Sequence, residues 1–483
     1  MTELLFPWWH ALSSSNNLAL YLLLAWMLYI VPLCLWIVLQ KREPVATISW
    51  VLSLALLPYV GFLIYFWLGP QKISRQRLRR DRTRAGLDTH DASCPASPDC
   101  VELALLGQST TGLPPSTATS AQMLVDGAAT YDAIISAIAS ASDHVHLEYY
   151  IYQPDRSGTR IRDALVERAR AGVKVRVLLD KVGSSSIRRS FFQPLLDAGG
   201  ELAWFHPISF RPLKRSWMNL RTHRKIVVVD GRIAFIGGIN VTDEQNERLN
   251  PDAYRDLHLR MEGDVVRSVQ VVFVEDWVYA TGQGRTDFKG TALWYPNQNA
   301  VMGTIPAQVL VSGPDSSWEA IHRMHVAAIH EAKHRVWLTT PYFVPGEAAR
   351  MALTSAALGG LDTRLLVPKM SDSKLVTYAA RSYFDELLAA GVKVYEYGPR
   401  LLHSKSLLCD DNLAIIGSAN FDHRSFRLNF EISVMFRGLM MPATLAQQLE
   451  SEFDAAVPVV REKKRPLRER LPEAFARLMS PVL

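Results

Sequence analysis

One eighteen-residue pattern occurs twice in this chain, and that duplication limits the fold more than any other feature. The first copy reads HRKIVVVDGRIAFIGGIN, from His223 to Asn240, and the second reads HSKSLLCDDNLAIIGSAN, from His403 to Asn420. In each, one residue separates His from Lys, four separate Lys from Asp, six separate Asp from a pair of small residues, and one more precedes Asn. A lone HxK arises by chance in many chains. Two complete copies at matched places require a repeated structural unit.

The surroundings of the motif repeat as well. VHLEYYI (residues 145–151) and VWLTTPYF (336–343) are strand-like, and each follows a helical pattern, over 131–141 and 318–332. RVLLDK (176–181) matches RLLVPK (364–369), and LLDAG (195–199) matches LLAAG (387–391), each leading to a short strand and a proline, Pro207 or Pro399. The order implies an α/β fold built from two homologous halves, expected over residues 122–300 and 301–460.

His and Lys two apart on a strand project from one face, so His223 with Lys225, and His403 with Lys405, can address one ligand. Asp230 and Asp410 complete the motif and are grouped with these four. Their opposite parity, and the turn chemistry of Asp230-Gly231 and Asp410-Asp411-Asn412, point to geometry and local electrostatics more than to substrate contact. The return strands, 233–236 and 413–416, bring the small pairs back beside the histidines. Gly238 and Ser418 there allow close approach of an anion, and Asn240 and Asn420 can donate amide hydrogens to it, which makes these four the expected phosphate-binding residues.

Two imidazoles, two ammonium groups and two amides facing one another form a receptor for a phosphodiester. Exchange at phosphorus needs a nucleophile, a proton donor for the leaving alkoxide and fixed positive charge on the non-bridging oxygens. Two histidines can divide the first two tasks only if one is neutral while the other is protonated, so they should titrate as a coupled pair. Glu431, in NFE, and Asp256, in YRDLHL, are the candidates for orienting the rings. His322, His325, His330 and His334 share no helix face and have no ligand-spaced carboxylate or Cys, so neither a metal nor another cofactor is expected.

Ahead of the repeat lie two uncharged stretches, 18–39 and 45–68, each longer than the roughly 20 residues a helix needs to cross a bilayer. Only five residues, 40–44, separate them, so a transmembrane helical hairpin over 18–69 is expected after an N-terminal segment 1–17. Lys72, Arg75, Arg77, Arg79, Arg80, Arg82 and Arg84 follow, opposed by Asp81 alone, which by charge bias puts the bulk of the chain in the cytoplasm and can hold it against anionic lipid. Residues 70–121 read as this basic segment plus a Ser/Thr/Pro/Gly-rich linker holding at most short structured pieces. Residues 461–483 form a basic tail compatible with a membrane-surface helix. An apolar content of 48% suits partial immersion in lipid, and the net charge of +6 is clustered, which suits an anionic surface. The four cysteines, Cys34, Cys94, Cys100 and Cys409, read as free thiols.

The doubled HxK(x)4D(x)6G(G/S)xN resembles the HKD signature of the phospholipase D superfamily, over the chain from about Gln122 onward. That resemblance implies two phospholipase D-like halves about a pseudo-two-fold axis, a phosphohistidine on His223, acid/base work by His403, and phosphate binding by Lys and Asn. The order of the two histidines stays open on sequence alone. The N-terminal KREPVATISWVLSLALLPYVGFLIYFWLG, with TTPYFVP (339–345), LVPKMSDS (366–373) and HRSFRLNFE (423–431), resembles the bacterial cardiolipin synthases. The expectation is therefore an inner-membrane phosphatidyltransferase joining two phosphatidylglycerol molecules and releasing glycerol, with membrane phospholipids rather than nucleic acid as partners. A hydrolytic phospholipase D yielding phosphatidic acid is the alternative; a nuclease of the superfamily fits the hairpin less well, and a silent lipid-binding scaffold would have lost a His or Lys. Acyl preference, use of phosphatidylethanolamine and oligomeric state are not legible.

Overall fold

The computed structural model describes residues 15–39, 44–57, 60–62, 65, 101–205, 220–283, 288, 303–316, 318–460 and 465–480. The chain divides into two compact units, Met1–Gln71 with Ser209–Asn219, and Lys72–Ile208 with Leu220–Leu483.

In the first unit, α1 (Ser15–Leu39) runs for 25 residues without a charge, and its stretch Leu20–Leu39 is long and apolar enough to cross a membrane. The expected second span is described as α2 (Pro44–Leu56), 13 residues long, with residues 58–59, 63–64 and 66–68 of that span outside the described residues. The two helices pack through Ile37 and Leu54, and Tyr65, beyond the second helix, brings its ring to 5.1 Å from that of Trp50. Most other apolar side chains of α1, such as Leu28 and Leu39, face outward. The basic run 72–84 lies outside the described residues, as do Cys94 and Cys100; Cys34 and Cys409 are free thiols.

The second unit carries the repeat. Its first half contributes β1 (Ser120–Val125), β2 (His144–Tyr149), β3 (Lys174–Asp180), β4 (Glu201–Phe205), β5 (Lys225–Val229), β6 (Ile233–Gly237) and β7 (Leu257–Glu262). The second contributes β8 (Ile305–Ser312), β9 (Arg335–Thr339), β10 (Asp362–Pro368), β11 (Lys393–Tyr397), β12 (Ser406–Cys409), β13 (Leu413–Gly417) and β14 (Asn429–Arg437). The first sheet runs β1-β7-β6-β5-β2-β3-β4 and the second β8-β14-β13-β12-β9-β10-β11, the same order strand for strand. In each, the last three strands are parallel and the rest pair antiparallel. Short edge strands, Ser116–Ala118 and Ala456–Pro458, extend the second sheet.

Burial pattern explains the layers. β5 (KIVVV) and β6 (IAFIG) are buried throughout, as strands covered on both faces must be. The outer face of the first sheet is covered by α4 (Asp126–Ala139) and α5 (Arg156–Arg170), which bury Tyr131, Ile134, Ile161 and Leu165, α5 leaving a charged side to solvent. Asp155 caps α5 by accepting the Gly158 N–H at 2.9 Å. Between the sheets lies α6 (Val265–Thr281), buried on nearly every side, with α11 (Met440–Asp454) as its counterpart after β14. The second sheet's outer face is covered by α7 (Ala320–Glu331) and α8 (Glu347–Leu358).

Two segments are more ordered than expected. Within the linker, α3 (Val101–Thr111) buries Leu103, and Gln308 of β8 donates to the Ala104 carbonyl at 3.1 Å, so the described structure resumes well ahead of Gln122. In the basic tail, α12 (Leu467–Leu478) docks against α9 (Lys374–Arg381) and the start of α10 (Phe384–Ala390); Ser480 and Tyr383 share a hydrogen bond of 3.1 Å.

Candidate active site

Each HxK stands at the entrance of a strand rather than within it, and the halves exchange backbone there. Arg221–Thr222 pairs in parallel with Asn429–Phe430 of β14, and Arg255 bridges to Leu402. The His223 N–H donates to the Phe430 carbonyl at 2.9 Å, and the His403 N–H donates to the Arg255 carbonyl at 2.7 Å. The residues next in line are Glu431 and Asp256.

Each carboxylate therefore meets the histidine of the opposite half. His223 Nδ1 lies 3.0 Å from Glu431 Oε2, and His403 Nδ1 lies 2.6 Å from Asp256 Oδ2. Lys405 Nζ is also 2.8 Å from His403 Nδ1 and 3.7 Å from Asp256. One Nδ1 cannot both donate to a carboxylate and accept from an ammonium. The shorter carboxylate contact sets the Nδ1–H tautomer and leaves Nε2 as the unprotonated ring atom. Lys225 Nζ donates to the His223 carbonyl at 2.7 Å.

Enclosure sets the charges. Burial pushes the His223 imidazole down to about 4 against the pull of Glu431, and burial reinforced by Lys405 holds His403 below its ordinary value. Burial also pushes Lys225 down to about 7 and Lys405 to about 8, in spite of Glu431 and Asp256. It works to raise the two carboxyls, yet Lys405 and His403 take Asp256, and His223 and Lys225 take Glu431, below the usual carboxylate range. Lys405 bears on His223, Lys225 on His403, and the two ammonium groups on each other, as one shared site requires.

The carboxylates and small residues of the two motifs take up distinct places. Asp230 and Asp410 stand at the far ends of β5 and β12, in hairpin turns at φ of 54° and 52°. Asp230 accepts the N–H groups of Ser142, Asp143 and His144 at 2.8 to 2.9 Å, and Asp410 those of Lys333, His334 and Arg335 at 2.7 to 3.0 Å. They fasten the start of the neighbouring strand, the geometric role that their parity and turn chemistry point to. Gly238 makes room for a protein carboxylate, since a Cβ there would come within 2.2 Å of Asp256 Oδ1. Its counterpart Ser418 donates to Glu431 Oε2 at 2.5 Å and so holds that carboxylate.

Asn240 and Asn420 lie buried at the ends of the return strands. Asn240 Oδ1 accepts the Ile151 N–H at 3.2 Å, and Asn420 Oδ1 is buried with no hydrogen-bond partner among the described residues. The helical histidines are engaged elsewhere: His322 pairs with Glu319 at 3.0 Å, and His325 Nδ1 meets the Ile321 carbonyl at 2.7 Å.

The comparisons with known proteins agree with one another. The family model described as cardiolipin synthase, PLD-like domain, matches residues 134–277 and 326–457, and a phospholipase D-nuclease N-terminal model matches 24–70. Cardiolipin synthase from Geobacillus sp. (strain WCH70) is 38% identical over 464 residues, covering 92% of this chain and 90% of that protein. Cardiolipin synthase 1 from Bacillus anthracis is 36% identical over 491 residues, covering 98% and 96%. This chain belongs to the cardiolipin synthase family. Among solved structures, phosphatidylserine synthase from Haemophilus influenzae Rd KW20 shares the fold, with a TM-score of 0.59 at 15% identity over 79% of this chain and 100% of that one.

Sequence reasoning passed over several residues that shape this family member's site. Gln245 accepts the Asn240 N–H and brings Nε2 to 3.4 Å from His403 Nδ1. Ser425 does the same for Asn420 at 3.2 Å, and both stand five residues after their Asn, so aligning the halves beyond Asn would have found them. Tyr150 packs edge-on to His223 with centroids 5.0 Å apart, and Tyr254 lies 5.6 Å from His403. Arg224, inside the HxK, is fully buried, bonded to Asp276 and to the Glu431 carbonyl at 3.1 Å. Nothing in a lone Arg signals that.

Proposed function

We propose that this cardiolipin synthase family member transfers a phosphatidyl group from one phosphatidylglycerol to another through a phosphohistidine, giving cardiolipin and glycerol. The observation that carries the reading is the reciprocal pairing of His223 with Glu431 and of His403 with Asp256. Each carboxylate fixes an Nδ1–H, so each Nε2 is the atom left to meet phosphorus or a hydroxyl.

In the first step, Nε2 of neutral His223 attacks phosphorus and the bond from phosphorus to the glycerol oxygen breaks. His403, protonated on Nε2 once the anionic substrate is bound, gives that proton to the departing glycerol. In the second step, His403 takes the proton of a hydroxyl on a second phosphatidylglycerol, whose oxygen displaces His223 from phosphorus. Lys225, Lys405 and the side-chain amides of Asn240 and Asn420 hold the non-bridging oxygens. One phosphodiester replaces another, so the exchange needs no nucleotide. The enclosed site keeps water from intercepting the intermediate.

The same reading makes α1 and α2 a hairpin through a bacterial inner membrane, with the second unit on the cytoplasmic side. The uncharged runs 18–39 and 45–68 and the basic run 72–84 support it.

The test is purified full chain in vesicles of labelled phosphatidylglycerol, with products separated. Cardiolipin with equimolar glycerol is expected, and neither forms with His223→Ala or His403→Ala. Phosphatidic acid as the main product, or turnover undiminished in either variant, would overturn the proposal.

A further inference from the structure

The helix α12 is held to the second half by one side only. Glu473, Ala476 and Ser480 are buried, Arg477 donates to the Ser382 carbonyl at 3.1 Å and lies 4.4 Å over the Tyr383 ring, and Arg465 pairs with Glu473. These contacts fix the rotation of the helix. At 100° per residue the side opposite them carries Leu467, Leu471, Phe475 and Leu478, which are 77%, 70%, 64% and 76% exposed. Four large apolar side chains in one row, turned away from the protein, are unusual for a surface helix, where isolated apolar residues are the norm.

The flanks of that row are basic. Arg468 falls on one border and Arg470 on the other, both exposed, while Glu469 and Glu473 fall toward the docked side. Residues 461–478 carry seven Lys and Arg against three Glu. An apolar stripe between two arginines is how a helix lies in a lipid interface, with the stripe among acyl chains and the guanidinium groups reaching out to phosphates. A second copy of the same helix would set these arginines against one another. Anionic headgroups would neutralise them. The chain already holds a helix apolar enough to cross a membrane, so a bilayer is at hand.

The placement also serves the site. α12 packs on α9, whose N-cap Ser373 follows Asp372, and the Asp372 charge bears on Lys405. One helix of 8 residues, about 12 Å long, separates the stripe's support from Asp372.

We infer that α12 is a lipid-docking helix, which seats the catalytic unit on an anionic bilayer surface through Leu467, Leu471, Phe475 and Leu478 between Arg468 and Arg470. The inference is independent of which lipid reaction the site performs.

The test uses the full chain with Cys34, Cys94, Cys100 and Cys409 replaced, and an environment-sensitive fluorophore placed singly at Leu471→Cys, Leu478→Cys or, as a control on exposed surface, Glu167→Cys. In vesicles containing phosphatidylglycerol and brominated lipid, quenching at 471 and 478 should exceed that at 167 several-fold, and fall in high salt or pure phosphatidylcholine. Quenching at 471 no greater than at 167 would overturn the inference, as would a disulfide between copies through Leu471→Cys, which would mark a protein interface. The fluorescence needs no turnover, so it is separable from failure of the proposed reaction. In a second arm, Leu471→Ser/Phe475→Ser should keep the parent's thermal midpoint and its rate on detergent-dispersed lipid, and lose about fivefold or more on vesicles. Equal losses on both substrates would count against docking.

Discussion

Asp256 and His403 come from different halves of the chain, and their side chains meet at 2.6 Å. Glu431 and His223 repeat the arrangement in reverse at 3.0 Å, so neither half holds a complete site alone. Because the carboxylates touch the rings, they should act as positioning residues. Asp256→Asn and Glu431→Gln should each lower kcat by about 10²- to 10⁴-fold while leaving KM nearly unchanged. Steady-state assays on phosphatidylglycerol vesicles read both constants. A rise in KM with kcat preserved would show that the carboxylates work through substrate binding.

The two lysines make opposite predictions for activity and for stability. Lys225 and Lys405 lose their protons in the folded, empty site near 7 and 8, against 10.5 ordinarily. As pH rises through those values the ammonium charge that should grip the phosphate disappears, so kcat/KM should fall, titrating as a coupled pair. Over the same window, up to the ordinary value, the unfolded chain binds more protons than the folded one, so stability of the empty enzyme should rise. A pH–rate profile and a pH series of thermal midpoints test the two trends. A bound phosphate favours the charged amines, so calorimetric titration with inorganic phosphate near pH 8 should report proton uptake, dependent on buffer ionisation enthalpy.

The doubled motif and its neighbouring strands disclosed most of this fold. Strands such as His144–Tyr149 and Leu413–Gly417 lie within a residue or two of where the apolar runs put them, because β-branched stretches between turn residues have few alternatives. The helix Val265–Thr281 is buried almost all round although Gln270, Glu275 and Asp276 interrupt its apolar residues, and nothing in that pattern marks the space between two sheets. The site divides in the same way. His, Lys and Asn stand out by matched spacing, whereas the reciprocal contacts depend on Arg221–Thr222 crossing to β14, a pairing between residues some two hundred apart that no local pattern encodes. The small residues mislead for a related reason: a glycine shows that something comes close, and only the coordinates name Asp256 as that neighbour.

Asp230 and Asp410 should prove structural. Asp230→Asn and Asp410→Asn weaken a carboxylate that accepts three backbone N–H groups, while keeping a residue tolerant of positive φ. A loss of about 1–3 kcal/mol is expected, with kcat per folded molecule unchanged. Burial works to raise these carboxyls, but the N–H groups take both below 3.8, so their contribution is present above that pH and lost as pH falls below it. Acid unfolding curves should therefore converge for parent and variants at low pH and separate above it. Lost kcat with intact stability would return the two residues to the catalytic set.

Gly238 offers the sharpest separation of sterics from substrate contact. Its φ lies outside the left-handed region, so alanine meets no backbone penalty there; the added Cβ meets Asp256, 2.2 Å from Oδ1 and 2.6 Å from Oδ2. The carboxylate must move, and His403 loses the partner that fixes its tautomer. Gly238→Ala should therefore reproduce the kcat loss of Asp256→Asn, and Gly238→Ala combined with Asp256→Ala should be no worse than Asp256→Ala alone, because the two changes act on one contact. Rates of the two single variants and the double variant on the same vesicles test this. Losses that multiply would place Gly238 against the substrate phosphate after all.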